Sequence, residues 1–324
     1  MRRTLTSVRL GIVIVSLTAA VGGASSEAKA AQVPAAAAGT PHHCPSDTTP
    51  IEVGGGTLCT SFDAPANRRP LLREWVERSA RIVTAYYGRF PAPSVVLEVH
   101  SSPGSGVHGG HTNNDPRLEI DVTVGGDTRA EDLVSDWVLV HEMIHLALPE
   151  VGRRHDWLAE GLATYVEGIA RAQFGNRPAA DVWAEYRRSM PHGQPQPDEG
   201  GMDQTHSWAR TYWGGALFCL QADLAIREQT GNRMGLQTAL RAILDATGGY
   251  SSERDIDEVF RIGDAATGTH ALETLYREAA MAPMSWNLDE LWTRLGVPAD
   301  PLSLPFDDRA PLAAVREAIT RPTP

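Results

Sequence analysis

Lysine is almost absent from this chain of 324 residues, in which Lys29 is the only one. Lysine and arginine together number 29 against 40 acidic residues, and the formal net charge is −11. A chain this acidic lacks the basic surface that draws proteins to nucleic acid or anionic membrane. We therefore expect no nucleic-acid partner. The sequence carries no signal for an oligomeric state.

Cysteine is also scarce, with three residues, and no Cys-x-x-Cys pair indicates a cysteine-ligated zinc site. Cys44 and Cys59 flank the stretch IEVGGGTL, whose glycines are typical of a small hairpin. An oxidising compartment would permit them to pair, although the spacing alone also fits two free thiols. Cys219 lies in the apolar run GALFCLQADL and is expected to be a buried free thiol.

The only long apolar run opens the chain. MRRTLTSVR is basic, LGIVIVSLTAAVGGA is apolar, and Ala28-Lys29-Ala30 fits a cleavage site, so residues 1–30 are predicted to be a secretory signal peptide. The protein would then be secreted, without stable membrane insertion after cleavage; the alternative is an uncleaved anchor. Cleavage would remove four basic residues and one acidic residue, changing the formal charge from −11 to −14.

The remainder divides into an arm and a domain. Residues 31–69 are rich in alanine, proline and glycine, which predicts a linker, whereas residues 70–324 are predicted to fold as one α+β domain. PLLREWVERSARIVTAYYGRF has helical spacing, SVVLEVH and RLEIDVTV predict strands, and SSPGSGVHGGHTNNDP between them consists of turn residues. Further helices are predicted at about 129–147, 157–173, 179–189, 207–229, 234–246, 268–280, 287–295 and 309–320.

The motif HEMIH carries the clearest chemical signal. His141 and His145 are four residues apart, so both imidazoles project from one face of a helix and can reach one metal ion. Glu142 can then meet a water bound to that ion, which is the His-Glu-x-x-His pattern of zinc hydrolases. The alternative is a pair of histidines on a half-buried helix.

Zinc needs a third protein ligand and an open position for water. The candidates downstream are Glu150, His155, Asp156 and Glu160. The metzincin arrangement requires Gly and His where this chain has Leu148 and Val151, so that class is excluded. Glu160 lies among the large apolar residues of DWLAEGLATYVEG, where a carboxylate is costly unless a cation compensates it. The alternative for Glu160 is a solvated helix face.

HEMIH followed by WLAEGLATYVEG resembles the gluzincin peptidases, in particular the aminopeptidase N and glycyl aminopeptidase families. The resemblance implies a zincin-like, thermolysin-like catalytic domain, with a small β-sheet followed by a mainly helical region. It also implies zinc held by His141, His145 and Glu160, with Glu142 as general base. Fourteen residues separate His145 from Glu160, whereas the aminopeptidase N pattern has eighteen.

The resemblance continues at RTYWGGALF. In those families the tyrosine of a Tyr-x-x-Gly segment hydrogen-bonds the oxyanion, which implies that role for Tyr212. The alternative is a tyrosine that packs beside Trp213.

Four further residues carry weaker signals. His108 and His111 could line the cleft but are interpreted as loop histidines, and His206 is interpreted in the same way. Glu167 either orients a ligand histidine or is a surface charge. No Gly-x-Met-Glu-Asn segment is present, which leaves aminopeptidase specificity without its usual glutamate.

Together these motifs predict a secreted zinc metallopeptidase that hydrolyses a peptide or protein substrate with a zinc-activated water. Two alternatives remain open at this stage. One is a catalytically inactive binding module on a peptidase-like scaffold, and the other is a zinc hydrolase that acts on a non-peptide bond.

Overall fold

The computed structural model describes residues 44–321. Within them, five strands form one mixed sheet: β1 (Thr49–Val53), β2 (Gly56–Phe62), β3 (Ser94–Ser102), β4 (Val107–Asn113) and β5 (Glu119–Gly125). The strand order is β1-β2-β3-β5-β4. The three central strands run parallel, and both edge strands pair antiparallel to their neighbours. β4 is therefore an edge strand with one unpaired side.

Helices make up most of the remaining structure. They are α1 (Arg69–Tyr87), α2 (Ala130–Ser135), α3 (Val138–His145), α4 (Asp156–Gln173), α5 (Ala179–Ser189), α6 (Gly215–Thr230), α7 (Leu236–Thr247), α8 (Ile256–Thr267), α9 (Ala271–Ala279), α10 (Leu288–Leu295) and α11 (Ala313–Thr320). Their apolar faces join the inner face of the sheet in one core. The predicted α+β class, a small sheet followed by a helical region, is confirmed. No described helix is both long and apolar enough to cross a bilayer.

The first two strands lie in the segment that the sequence placed in a linker. Gly54 and Gly55 both have positive φ, as a two-residue hairpin turn demands, so the predicted hairpin is present. Cys44 and Cys59 form a disulfide. Because β2 pairs with β3, residues 49–62 belong to the sheet, and the domain begins before residue 70. The predicted signal peptide and the first part of the linker lie outside the described residues.

The sequence predicted a connection without secondary structure between β3 and β5. The structure instead has a strand, β4, in this segment. Its sequence VHGGHTN has no apolar alternation, because an edge strand buries little and only Thr112 of the seven is buried. β5 shows the opposite pattern: Ile120, Val122 and Val124 face the core, and the residues between them are partly exposed.

The predicted helix over 129–147 is two helices. Asp136 is extended between α2 and α3, and its carboxylate accepts hydrogen bonds from the backbone N–H groups of Val138 and Leu139, at 3.1 and 3.3 Å. It also accepts one from the Trp75 indole, at 3.1 Å. Asp136 therefore caps the helix that carries both histidines.

No helix was predicted at α8, and among the described helices of this length it is the one that was missed. Its apolar face consists of Ile256, Val259 and Phe260, and the next position on that face is Gly263. A Cβ at Gly263 would lie 2.5 Å from the Leu272 side chain. Because α8 packs this closely against α9, no apolar side chain fits at position 263 to complete the helical pattern.

Removing the cap on α3 should destabilise the protein. Asp136→Ala leaves two backbone donors and the Trp75 indole without their acceptor, and we expect the free energy of unfolding to fall by about 1–2 kcal/mol. Asp136→Asn keeps an acceptor for these donors and should lose less. Urea unfolding of the metal-free proteins measures both, and equal losses for the two variants would contradict the capping role.

Candidate active site

α3 directs both histidines of the motif toward α4. The imidazole centroids of His141 and His145 are 4.9 Å apart, one helical turn along the same face. His141 is buried and His145 nearly so, because the helix packs between the sheet and α4. The sequence prediction that the two side chains share one face is confirmed by this geometry.

The carboxylate of Glu160 meets both imidazoles. Glu160 Oε2 lies 3.2 Å from His141 Nε2 and 3.6 Å from His145 Nε2. Nitrogen and oxygen ligands about 2.0–2.2 Å from a tetrahedral zinc ion are about 3.3 Å from one another, so the observed spacing fits one ion. The donor set of two imidazoles and one carboxylate is also one that zinc accepts. The three residues can therefore hold zinc without rearrangement of their helices.

The charge state of the cluster suits a cation. Burial raises the pKa of Glu160, but hydrogen bonds from His141 and His145 outweigh burial and hold that pKa well below its usual range. Burial lowers the pKa of His145, and Glu160 raises it by more, so the net shift is upward. Glu160 is thus ionised at neutral pH, which is the form that ligates a metal.

Glu142 is held in place by the edge strand. Thr112 Oγ1 lies 2.8 Å from Glu142 Oε2 and 3.0 Å from the Glu142 carbonyl oxygen, close enough to donate a hydrogen bond to either. A Cβ at Gly110 would lie 2.6 Å from Glu142 Cγ, so β4 passes directly against the carboxylate side chain. Thr112 and Gly110 were missed, because the sequence assigned their segment to turns.

Tyr212 lies in a π-helical turn, Arg210–Gly214, that leads into α6. Its ring is nearly parallel to that of His141, with 6.2 Å between centroids. Burial, and then the nearby Glu160 carboxylate, raise the pKa of Tyr212 to about 12. The phenol therefore keeps its proton at neutral pH and can donate a hydrogen bond toward the centre of the site.

Two glycines allow Tyr212 to approach Glu160. A Cβ at Gly161 would lie 2.2 Å from Gly215 Cα, and a Cβ at Gly215 would lie 2.0 Å from the Trp157 carbonyl oxygen. α4 and the start of α6 therefore cross in backbone contact. Since Gly161 follows Glu160 directly and Gly215 follows Tyr212 by three residues, the crossing brings these two side chains together.

The cluster opens into a cleft. One cavity, of about 520 Å³, is lined by all five predicted site residues: His141, Glu142, His145, Glu160 and Tyr212. A second cavity, of about 600 Å³, lies beside it. The two share four lining residues, Arg153, Asp156, Glu160 and Tyr212, and so form a continuous groove.

The other candidates for the third ligand have different positions. Glu150 and Asp156 line the first cavity, and His155 Nδ1 lies 3.0 Å from an Asp203 oxygen. Among residues 44–321, none of the three joins the two histidines in a group with metal-ligand spacing. Of the histidines predicted to lie in loops, His111 lines the first cavity and His206 the second. His108 and His111 lie on β4 instead of in a loop, and His108 contacts Ser102 at the end of β3 and Ser105 in the connection between these strands.

Glu167 fits neither reading suggested by its sequence position. It is buried and pairs with Arg171 at 2.7 Å and, more distantly, with Arg177 at 3.8 Å. The Nδ1 atom of His141 is buried and has no hydrogen-bond partner in the described part of the chain. Glu167 therefore does not orient that ligand histidine.

Asp203 is a buried residue that the sequence did not single out. Its side chain is 1% exposed, and its carboxylate oxygens are in hydrogen-bond contact with four side chains, those of Arg154, His155, Trp157 and Tyr276. Three of these four belong to the segment that enters α4, one turn before Glu160. Asp203 thus fixes the start of the helix that carries Glu160. A lone Asp in GMDQ gives no local sign of this role.

Of the comparisons with known proteins, the comparison with solved structures gives matches. No family model matches the chain, and no curated protein matches it in sequence. A solved structure of an aminopeptidase N family protein from Idiomarina loihiensis is similar, with a TM-score of 0.54, 12% identity and coverage of 77% of this chain and 49% of that one. An M1 zinc metallopeptidase from Deinococcus radiodurans gives a TM-score of 0.48 at 16% identity, covering 74% and 52%.

These matches concern the fold. The chain spans about half the length of the solved structures to which it is similar. Its fold is that of the catalytic part of M1 zinc aminopeptidases, and the resemblance to the aminopeptidase N family is confirmed at that level.

Asp203 should stabilise the protein in a pH-dependent way. Burial raises its pKa, but the four hydrogen-bond donors outweigh burial, so the net pKa is below the usual range. A carboxyl with a lowered folded-state pKa stabilises above its unfolded pKa of about 3.9, and this stabilisation is lost as the pH falls through the folded value. Asp203→Asn should cost about 1–3 kcal/mol at pH 7.

The difference between wild type and Asp203→Asn should begin to shrink below about pH 4, where the carboxyl of the unfolded protein takes up its proton, and should be lost once the pH falls below the lower folded-state pKa. Urea unfolding at a series of pH values measures this difference. A difference that stays constant from pH 7 to acid would show that the charge of Asp203 does not matter.

Proposed function

We propose that this protein is a secreted zinc-dependent metallopeptidase that hydrolyses peptide bonds. The observation that carries the proposal is the convergence of His141, His145 and Glu160 at the spacing of one zinc ion, with Glu142 lining the same cavity. Secretion is proposed from the signal-peptide pattern of residues 1–30 alone.

The roles of the residues follow from their positions. Zinc, when held by the three ligands, would polarise the scissile carbonyl and lower the pKa of water at the open position. Glu142 accepts the proton of the attacking water and passes it to the leaving amine. The Tyr212 phenol donates a hydrogen bond to the carbonyl oxygen as negative charge develops there. Thr112 keeps Glu142 oriented by its hydrogen bond.

The substrate is proposed to be a peptide or a protein. The free edge of β4 runs past Glu142 and offers unpaired backbone groups to an extended chain, as strand addition requires. The groove formed by the two cavities is large enough for several side chains.

Glu142→Gln should abolish hydrolysis while zinc stays bound. The amide cannot accept the proton, and we expect kcat to fall by at least about 100-fold. Hydrolysis of a mixed peptide library, followed by mass spectrometry, measures activity, and metal analysis measures zinc. Glu131→Gln, on the exposed surface of α2, is the matched control and should retain activity. Full hydrolysis by Glu142→Gln would remove Glu142 from the mechanism.

Glu160→Ala should lose zinc. Removing one of three protein ligands should weaken zinc binding by more than about 100-fold, beyond the effect of residues that merely support a ligand. Competition with a fluorescent chelator measures the affinity. Asp156→Asn is the control: Asp156 lies one turn earlier on α4 and lines the same cavity, but it is outside the ligand group. Unchanged zinc affinity in Glu160→Ala would contradict the ligand assignment.

Zinc binding without hydrolysis of any peptide would instead favour the inactive binding module. Loss of zinc in both Glu160→Ala and Asp156→Asn would mean that the metal is held by a wider set of carboxylates than proposed.

A further inference from the structure

Trp208 is the most exposed tryptophan of residues 44–321. The residue is 66% exposed, although an indole ring has more to gain from burial than most side chains. It lies in the helical turn just before the π-helical turn that carries Tyr212. Exposed aromatic rings in concave surfaces commonly mark places where a partner or ligand binds.

The orientation of Trp208 is fixed by its neighbour. Its ring stacks on that of Tyr212, with 5.3 Å between centroids and 24° between planes. Tyr212 in turn lies nearly parallel to His141. The indole is therefore connected to the proposed zinc centre through two ring contacts, and a side chain bound on it would lie close to the reacting bond.

Trp208 also lines the second cavity, the one that continues the groove away from Glu142. Charges of both signs surround it there. Arg153 and Asp156 face the cavity, Arg154 contacts Asp203, and Glu160 belongs to the metal ligands. No single sign of charge dominates, so the distinguishing feature of this cavity is an exposed aromatic surface.

We propose that Trp208 is a specificity-determining residue, a stacking surface for an aromatic or large apolar side chain of the peptide substrate. The inference rests on the proposed peptidase function and adds a substrate class to it. A substrate ring on Trp208 would bury apolar area and add an aromatic pair, and the two effects together should favour Phe over Ala by about tenfold or more in binding.

The test uses binding rather than turnover. Zinc-loaded Glu142→Gln protein is titrated with five alanine-based pentapeptides that carry Phe at successive positions, and with the all-alanine parent. At one position at least, Phe should tighten binding by about tenfold. Trp208→Ala should reduce this preference to near unity, and Trp208→Phe should keep most of it, because a ring remains.

Trp137→Ala is the matched control. Trp137 is also exposed, at 52%, and its ring contacts His141, but it lines neither cavity. The Phe-to-Ala ratio should survive this change. The ratio within one variant is compared, so a general loss of stability or zinc affinity does not mimic the effect.

Two results would overturn the inference. If the parent protein binds Phe and Ala peptides equally, or if Trp208→Ala keeps the preference, Trp208 does not set specificity, and the proposed peptidase function is untouched. If no peptide binds and wild-type protein hydrolyses none, the proposed function fails, and the inference fails with it.

Discussion

The contact between one carboxylate and two imidazoles organises the whole site. Glu160 and the two histidines belong to different helices, and no local rule of helix formation brings them together. Their placement within 3.2 and 3.6 Å puts an ionised acid and two bases in a largely buried position. Such a cluster is costly to bury unless a cation compensates it. The same geometry fits a tetrahedral ion, so one constraint accounts for both the burial and the spacing.

That contact depends on supports that lie elsewhere in the chain. Asp136 caps the start of α3, the helix that carries both histidines, and Asp203 holds the segment that enters α4. Gly161 and Gly215 let α4 and α6 touch, which brings the π-helical turn with Tyr212 over the ligands. Each support acts on backbone position rather than on the ion. A metal centre with its ligands on separate helices needs this, because small rotations of either helix would separate the ligand atoms.

The sequence revealed the parts of this arrangement that have a local signature. Helical spacing places His141 and His145 on one face, the β-branched apolar run SVVLEVH predicts β3, and apolar alternation predicts β5. The resemblance to gluzincins supplied Glu160 and Tyr212, which no spacing rule would have selected. Thr112, Gly110 and Asp203 were missed, because each contacts a partner about 30 or more residues away and lies in a stretch of turn-forming residues. β4 was missed although its partner β5 is close in sequence, because its residues lack the apolar alternation of a strand. The cap at Asp136 was missed because the apolar spacing on both sides of it predicted one continuous helix over 129–147.

The connection between α3 and α4 is held by a segment that is distant in sequence. Its backbone is bound to residues 249–254: Glu150 pairs with Glu253, the N–H of Glu150 donates to Ser252, and the N–H of Tyr250 donates to Leu146. This pairing also places Tyr250 on the wall of the first cavity. The segment before α8 thus completes one wall of the cleft. The shape of the groove is therefore set by the packing of this distant segment as well as by the helices that carry His141, His145 and Glu160.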